Sequence, residues 1–181
     1  SGRAIVARDS SSRAIRKDVE SSLRRLRLEV LPIFFVHWPD ENTLIEDTFC
    51  DLMKLKDEGK IKSIGCSNFS AKQVQQACGV SQVDYMQMPV NILDRPLDQN
   101  ISDICFTNEI KIIAYNVLAN GLLTGKYNQN SNFPINDRRS RLPLFKGSEY
   151  LHALGRIDEL KVEAAKNNIS LLQHAINWSL M

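Results

Sequence analysis

Apolar positions along the chain follow two alternating rhythms. Ile15, Val19, Leu23 and Leu26 recur at the three- and four-residue spacing of one helix face, predicting a helix over residues 13–26. Residues 30–36 then run continuously apolar and are rich in branched and aromatic side chains. They predict a strand buried on both faces, as in a parallel sheet. The alternation repeats. Thr43 and Glu46 stand at capping-box spacing and open a predicted helix that carries Ile45, Phe49 and Leu52 on one face and closes at Gly59. Residues 61–65 predict the next strand. Ser70 and Gln73 form a second capping-box pair, for a helix reaching Gly79. Residues 83–90 and 111–115 predict two more strands, and Ile101, Ile104 and Cys105 mark the helix between them.

The rhythm stops over residues 116–147, where glycine, proline, asparagine and arginine replace any periodicity. So long a connection in a compact domain is a functional loop or a disordered one. Leu154, Ile157, Leu160 and Ala164 resume helical spacing, and Ser170 with Gln173 caps a last helix expected to run on to Met181. Residues 1–12 read as a loop or a strand remnant. Strands alternating with helices place the chain in the α/β class with a parallel sheet. Four such units make either a small open domain or about half of an eight-unit barrel, which needs roughly 200 residues or more.

Composition narrows the class. The 181 residues are 43% hydrophobic and 24% charged, the proportions of a folded globular domain. Lys and Arg number 23 against 21 Asp and Glu, so the chain lacks the basic excess of a dedicated nucleic-acid binder. Residues 1–27 do hold eight basic and three acidic side chains, which read as a solvated arginine-rich helix face, with a phosphate-binding basic arm as the alternative. The longest apolar run, seven residues, is too short to cross a bilayer. No apolar signal region stands at the amino terminus. The four cysteines, at 50, 66, 78 and 105, have neither C-x-x-C spacing nor histidine partners. That argues against zinc, and for free thiols in the cytoplasm.

Familiar motifs fail in specific ways. No G-x-G-x-x-G follows a strand, so the Rossmann fingerprint is absent. The stretch from Gly121 to Lys126 approaches a P-loop. It has three residues between its glycines where four belong, and Tyr127 stands where a Mg²⁺-binding hydroxyl belongs. Gly65 to Phe69 lacks the second glycine of a nucleophile elbow. His37, His152 and His174 lack ligand-like spacing.

What remains shares one geometry. His37 and Trp38 follow the first predicted strand, and Ser67 and Asn68 follow the second. Gln87 lies in the third, and Tyr115 and Asn116 end the fourth. In a parallel sheet the carboxyl ends of the strands open on one face, where ligands bind. A lone His or Gln near a strand end is more often a satisfied structural residue. Recurrence at four consecutive strand ends favours a site.

Several longer stretches carry a resemblance: Ser22-Leu-Arg-Arg-Leu26 followed by Phe34-Phe-Val-His-Trp-Pro-Asp40, then Glu58-Gly-Lys-Ile-Lys-Ser-Ile-Gly-Cys-Ser-Asn-Phe-Ser70, Asn91-Ile-Leu-Asp-Arg95, and Ala114-Tyr-Asn-Val-Leu-Ala-Asn-Gly-Leu-Leu-Thr-Gly-Lys-Tyr127. In this order, from about residue 13 onward, the chain resembles the aldo-keto reductase family. The resemblance implies part of a TIM-type (β/α)8 barrel, about four parallel strands alternating with helices. It would be one partial domain over 1–181, with a long cofactor loop over 116–147 and C-terminal helices over 148–181. It implies reduction of an aldehyde or ketone by hydride transfer from NADP(H).

On that resemblance His37 is the catalytic histidine that orients and polarises the carbonyl, a donor aimed where negative charge develops. Trp38 lines the substrate pocket, with rim packing as its equal alternative. Ser67, Asn68 and Gln87 hydrogen-bond the nicotinamide carboxamide, amide facing amide. Tyr115 stacks on the nicotinamide ring, its alternative being a buried strand aromatic. Asn116, Leu118, Asn120 and Lys126 belong to the loop around the pyrophosphate, Lys126 supplying positive charge, and Arg141 is a further candidate there. Val117 departs from the proline usual in that loop.

The family's catalytic set is Asp, Tyr, Lys and His, and only the histidine is matched. The expectation is therefore an incomplete chain, inactive by itself. NADPH and NADH are left undistinguished, because the loop after an eighth strand makes that choice. The expected partner is a small carbonyl compound, with neither nucleic acid nor membrane, and exposed sheet edges invite self-association. The alternative function is a non-catalytic truncated member serving as a regulatory or cofactor-binding subunit. A sugar- or phosphate-processing barrel of another family would need different strand-end chemistry.

Overall fold

The computed structural model describes residues 8–93 and 99–180. Asp94 and Arg95 of the 91–95 motif, most of the stretch 1–12, and Met181 lie outside them. The elements are α1 (Ser12–Leu26), β1 (Phe34–Val36), α2 (Ile45–Asp57), β2 (Ile64–Ser67), α3 (Ala71–Cys78), β3 (Tyr85–Pro89), α4 (Gln99–Thr107), β4 (Lys111–Tyr115), α5 (Gly147–Lys166) and α6 (Leu171–Ser179). The strands form one sheet in the order β1-β2-β3-β4. The fold is α/β, with parallel strands alternating with helices as expected. The chain forms two compact units, Ser1–Met88 with Asp98–Ile113, and Pro89–Leu97 with Ala114–Met181.

In the first unit the register partners Val36, Cys66 and Met86 share one sheet face and are all buried. The other face carries Phe35, Gly65 and Tyr85 in one row, then Ser67 and Gln87 in the next. Every residue of β2 is buried. The expected two-sided burial of residues 30–36 is not what the structure shows. Val30 is exposed, Phe34 and Phe35 are half-buried, and only Leu31 and Val36 are buried. β1 ends the sheet order and pairs with one strand among the described residues, so one flank has no neighbouring strand there. It is also short. Leu31 makes an isolated bridge to Ile61, and the ladder resumes only at Phe34. The same interruption moves the second strand from the expected 61–65 to Ile64–Ser67.

The capping boxes divide. Ser70 and Gln73 form one at α3, and Ser170 and Gln173 form one at α6. The Thr43–Glu46 pair does not. α2 starts at Leu44 with no side-chain cap, and the Thr43 hydroxyl donates instead to Asp40 Oδ2 at 2.7 Å. The helix begins one residue later than the pair requires, so Thr43 does not stand at the N-cap.

The second unit has a core of Ala119, Leu122, Leu123, Ile157, Leu160 and Ala175, joined by Phe145 and Tyr150. Residues 116–147 hold no long element. They form three 3₁₀ turns, Ala119–Thr124, Arg138–Arg141 and Pro143–Phe145, tied down by apolar anchors. α6 ends at Ser179, short of the run expected toward Met181. No helix among the described residues is long and apolar enough to cross a membrane.

Candidate functional site

In the first unit, the polar strand ends are linked to one another. His37 and Trp38 leave β1 with both rings exposed, their centroids 6.2 Å apart. Asn68 leaves β2 in the left-handed region, at φ +60°, a conformation asparagine tolerates better than most residues. There its Nδ2 donates to the His37 carbonyl at 2.7 Å and to Ser67 Oγ at 3.1 Å. One amide thus bridges the ends of β1 and β2. Ser67 and Gln87 are register partners, so their side chains leave adjacent strands on the same face. Phe35 paves that face one row below. Its ring lies so close over Gly65 that a Cβ there would sit 2.3 Å from a ring carbon. The structure therefore brings His37, Ser67, Asn68 and Gln87 together. Trp38 stands beside them with 43% of its surface exposed.

Two residues that sequence reasoning passed over shape this end of the unit. Asp40 is buried. It accepts from the Ser10 and Asn42 backbone N–H groups at 3.0 Å each, and from the Thr43 hydroxyl. These bonds hold its carboxyl down at about 2. They tie the segment entering α1 to the loop after β1. The Asp–x–Asn–Thr order after a proline is an Asx-turn signal that could have revealed it. Arg8 lies with its guanidinium 4.4 Å over the Trp38 ring. Arg8, Asp18, Phe35, His37 and Trp38 line a cleft of about 220 Å³.

In the second unit, Tyr115 ends β4 with 39% of its surface exposed, so it is not the buried strand aromatic that was its alternative. Asn116 follows at φ +55°, and its Oδ1 accepts from the Asn120 N–H at 2.8 Å. Ala119, Asn120 and Gly121 continue at φ +47°, +54° and +98°. This is a left-handed turn in which the Leu118 carbonyl accepts from Gly121 and Leu123. The Leu118 side chain packs on the core. Tyr115, Asn116, Leu118 and Asn120 are thus one local structure. Lys126 follows it, exposed, and makes no ion pair among the described residues. Arg141 stands apart in the 138–141 turn, where its Nη2 donates to the Ile135 carbonyl at 3.4 Å.

The remaining chemistry is narrow. Burial pushes the Cys66 thiol up to about 12 and Cys105 up to about 11, so neither is a nucleophile near neutrality. No cluster of His, Cys, Asp or Glu among the described residues is arranged for a metal. The Ser67–Gln87 pair offers a hydroxyl and an amide on an otherwise apolar strand face, a donor set that fits a planar amide. Lys126 offers a cation with no ion pair among the described residues, which fits a phosphate.

Comparison with known proteins identifies the family. The sequence pattern of the Aldo/keto reductase family matches residues 3–181. The aldo-keto reductase yakc of Schizosaccharomyces pombe, whose name carries NADP(+), is 31% identical over 92% of this chain and 50% of its own length. The NADH-specific methylglyoxal reductase of Escherichia coli is 28% identical over 94% of this chain and 52% of its own length. Among solved structures, a glycerol dehydrogenase from Gluconobacter oxydans superposes with a TM-score of 0.91 at 36% identity, covering 98% of this chain and 56% of that one. Such neighbours are TIM barrels, to which the four βα units correspond in part. The chain spans about half the length of the curated relatives it matches.

Proposed function

Because the chain belongs to the aldo/keto reductase family, we propose that it serves NADP(H)-dependent reduction of an aldehyde or ketone carbonyl. The observation that carries this reading is the row of linked polar strand ends: Asn68 Nδ2 on the His37 carbonyl, and Ser67 beside Gln87. A bound nicotinamide supplies the hydride. Ser67, Asn68 and Gln87 take its carboxamide, satisfying donor and acceptor together and so selecting which ring face is presented. His37 directs an imidazole N–H at the carbonyl oxygen as it gains charge. Trp38, with Arg8 against it, walls the substrate side. Tyr115 is an aromatic platform for the nicotinamide ring. Asn116, Leu118 and Asn120 set the turn that leads to Lys126, the cation for the pyrophosphate, and Arg141 adds charge nearby in sequence. All four cysteines are free, which suits the cytoplasm.

Of the family's catalytic Asp, Tyr, Lys and His, the 181 residues supply the histidine. Carbonyl turnover by the chain alone is therefore expected to be blank, and nucleotide binding is the informative readout. The same observation supports a second reading, a regulatory or cofactor-binding subunit without turnover. The test is a titration of the purified chain with NADPH and with NADH, followed by Trp38-sensitive fluorescence, and then a carbonyl-dependent oxidation assay. Saturable binding with no turnover supports the nucleotide site. Absence of saturation with either nucleotide overturns it. Relatives of both cofactor types share this half of the fold, so little discrimination between the two nucleotides is expected.

A further inference from the structure

Residues 126–150 contain a polar and aromatic knot that the proposed chemistry does not use. Tyr127, Phe133 and Phe145 meet edge to face, with centroids 5.2 Å apart for the first pair and 5.0 Å for the second. Tyr150 stacks on Phe145 at 6.0 Å and donates its hydroxyl to the Asn128 carbonyl at 2.9 Å. Arg139 sits against this cluster. Its guanidinium is 4.9 Å over Phe133 and 5.3 Å over Tyr127, and Nη1 donates to the Tyr127 hydroxyl. Its Nε donates to both carboxylate oxygens of Asp137, at 3.0 and 3.1 Å. Asp137 also accepts from the Arg139 backbone N–H at 2.9 Å, capping the 138–141 turn. These bonds hold the Asp137 carboxyl at about 2, so the arrangement persists across neutral and mildly acid pH.

The knot reaches the residues that matter. Tyr127 is the neighbour of Lys126, whose Nζ lies 5.1 Å over the same ring. The Tyr127 hydroxyl also lies 3.4 Å from where a Cβ on Gly121 would be, so the ring rests on the left-handed turn. One ring therefore touches the turn, carries the lysine beside it and is gripped by Arg139. Two cations flank that ring. Asp137 neutralises Arg139, and no acid pairs with Lys126 among the described residues. The positive charge left over is at Lys126.

We propose that Arg139 is a positioning residue for Lys126: by gripping the Tyr127 hydroxyl and Asp137 together, it closes the 128–138 excursion and presents the Lys126 ammonium to a nucleotide phosphate. This rests on the reading of Lys126 as the phosphate-binding cation. The planar fork of arginine suits both partners at once, and a lysine would hold only one of them well.

The test is a double-mutant cycle on the full chain, read as the dissociation constant for NADPH. Arg139→Ala is expected to weaken binding about tenfold in the otherwise unchanged chain, and less than about twofold when Lys126→Ala is already present. Arg139→Lys recovers part of the loss. Tyr127→Phe removes only the gripped hydroxyl and spares the packing. It is expected to show the same background dependence on a smaller scale, and it serves if Arg139→Ala fails to fold. Equal losses from Arg139→Ala with and without Lys126 would overturn the positioning role and leave the reading of Lys126 standing. No loss from Lys126→Ala alone would overturn that reading, and the positioning role with it.

Discussion

The candidate residues of the first unit are held by a sheet ladder, and those of the second by a turn that bonds to itself. Ser67 and Gln87 are neighbours because β2 and β3 pair in register, and Asn68 adds one amide across to β1. Their positions follow from hydrogen bonds repeated along whole strands. Asn116, Ala119 and Asn120 hold left-handed backbone conformations, with Asn116 Oδ1 closing the turn on Asn120. Their positions follow from a few local bonds and from the packing of Ala119, Leu122 and Leu123 beneath. A ladder makes placement and stability inseparable, so damage at its floor unfolds the unit. A self-bonded turn can be disturbed with less loss of stability and more loss of binding.

The sharpest way to break this contrast is Gly65→Ala. A methyl there would sit 2.3 Å from a carbon of the half-buried Phe35 ring, which would have to leave the strand face. Overpacking at this place is expected to destabilise the chain by about 3 kcal/mol, measured by urea unfolding. Next is Asp40→Ala, which leaves the buried Ser10 N–H without its acceptor and frees the loop after β1. About 2 kcal/mol is expected.

The acid dependence of that residue has a definite sign. Its carboxyl titrates at about 2 when folded, against 3.8 ordinarily. Its stabilisation is therefore full above the ordinary value and disappears as pH falls through the folded one. The stability gap between the natural chain and Asp40→Asn should shrink between about pH 5 and about pH 2. A gap that stays constant over that window would mean that Asp40 does not act through its charge.

Smaller effects belong to the second unit. Gly121→Ala forces an L side chain to φ +98° and is expected to cost about 1 kcal/mol of stability, with a larger relative loss of NADPH affinity. Asn116→Ala removes the bond to Asn120 and should cost about 1 kcal/mol or less. If these two variants lose stability and keep full affinity, the contrast between ladder and turn is wrong.

Much of this was legible from the chain alone, and the failures have physical causes. Helices were readable because Val19, Phe49, Leu52 and Leu160 fall on the buried faces that their spacing implies. Ser70 and Ser170 cap as their spacing says, because each stands at the N-cap of its helix. Thr43 fails because α2 starts one residue later, with Leu44 at the N-cap. The first strand fails because periodicity cannot show that one flank lacks a neighbouring strand among the described residues, nor that the ladder breaks between Leu31 and Phe34. At the candidate site, the strand-end residues were readable from their place after apolar runs. Arg8 and Arg139 were not, because each acts through an aromatic ring met across a loop, and no spacing rule encodes that meeting.

The most direct measurement of the central claim is backbone amide hydrogen exchange of the chain with and without saturating NADPH. Slower exchange is predicted in two separate segments, residues 66–68 with 86–88, and residues 116–127. The strand segments should change little in absolute terms because the ladder already protects them, and the turn should change most. Protection confined to other segments, or none in either, would contradict the assignment of these residues to a nicotinamide nucleotide.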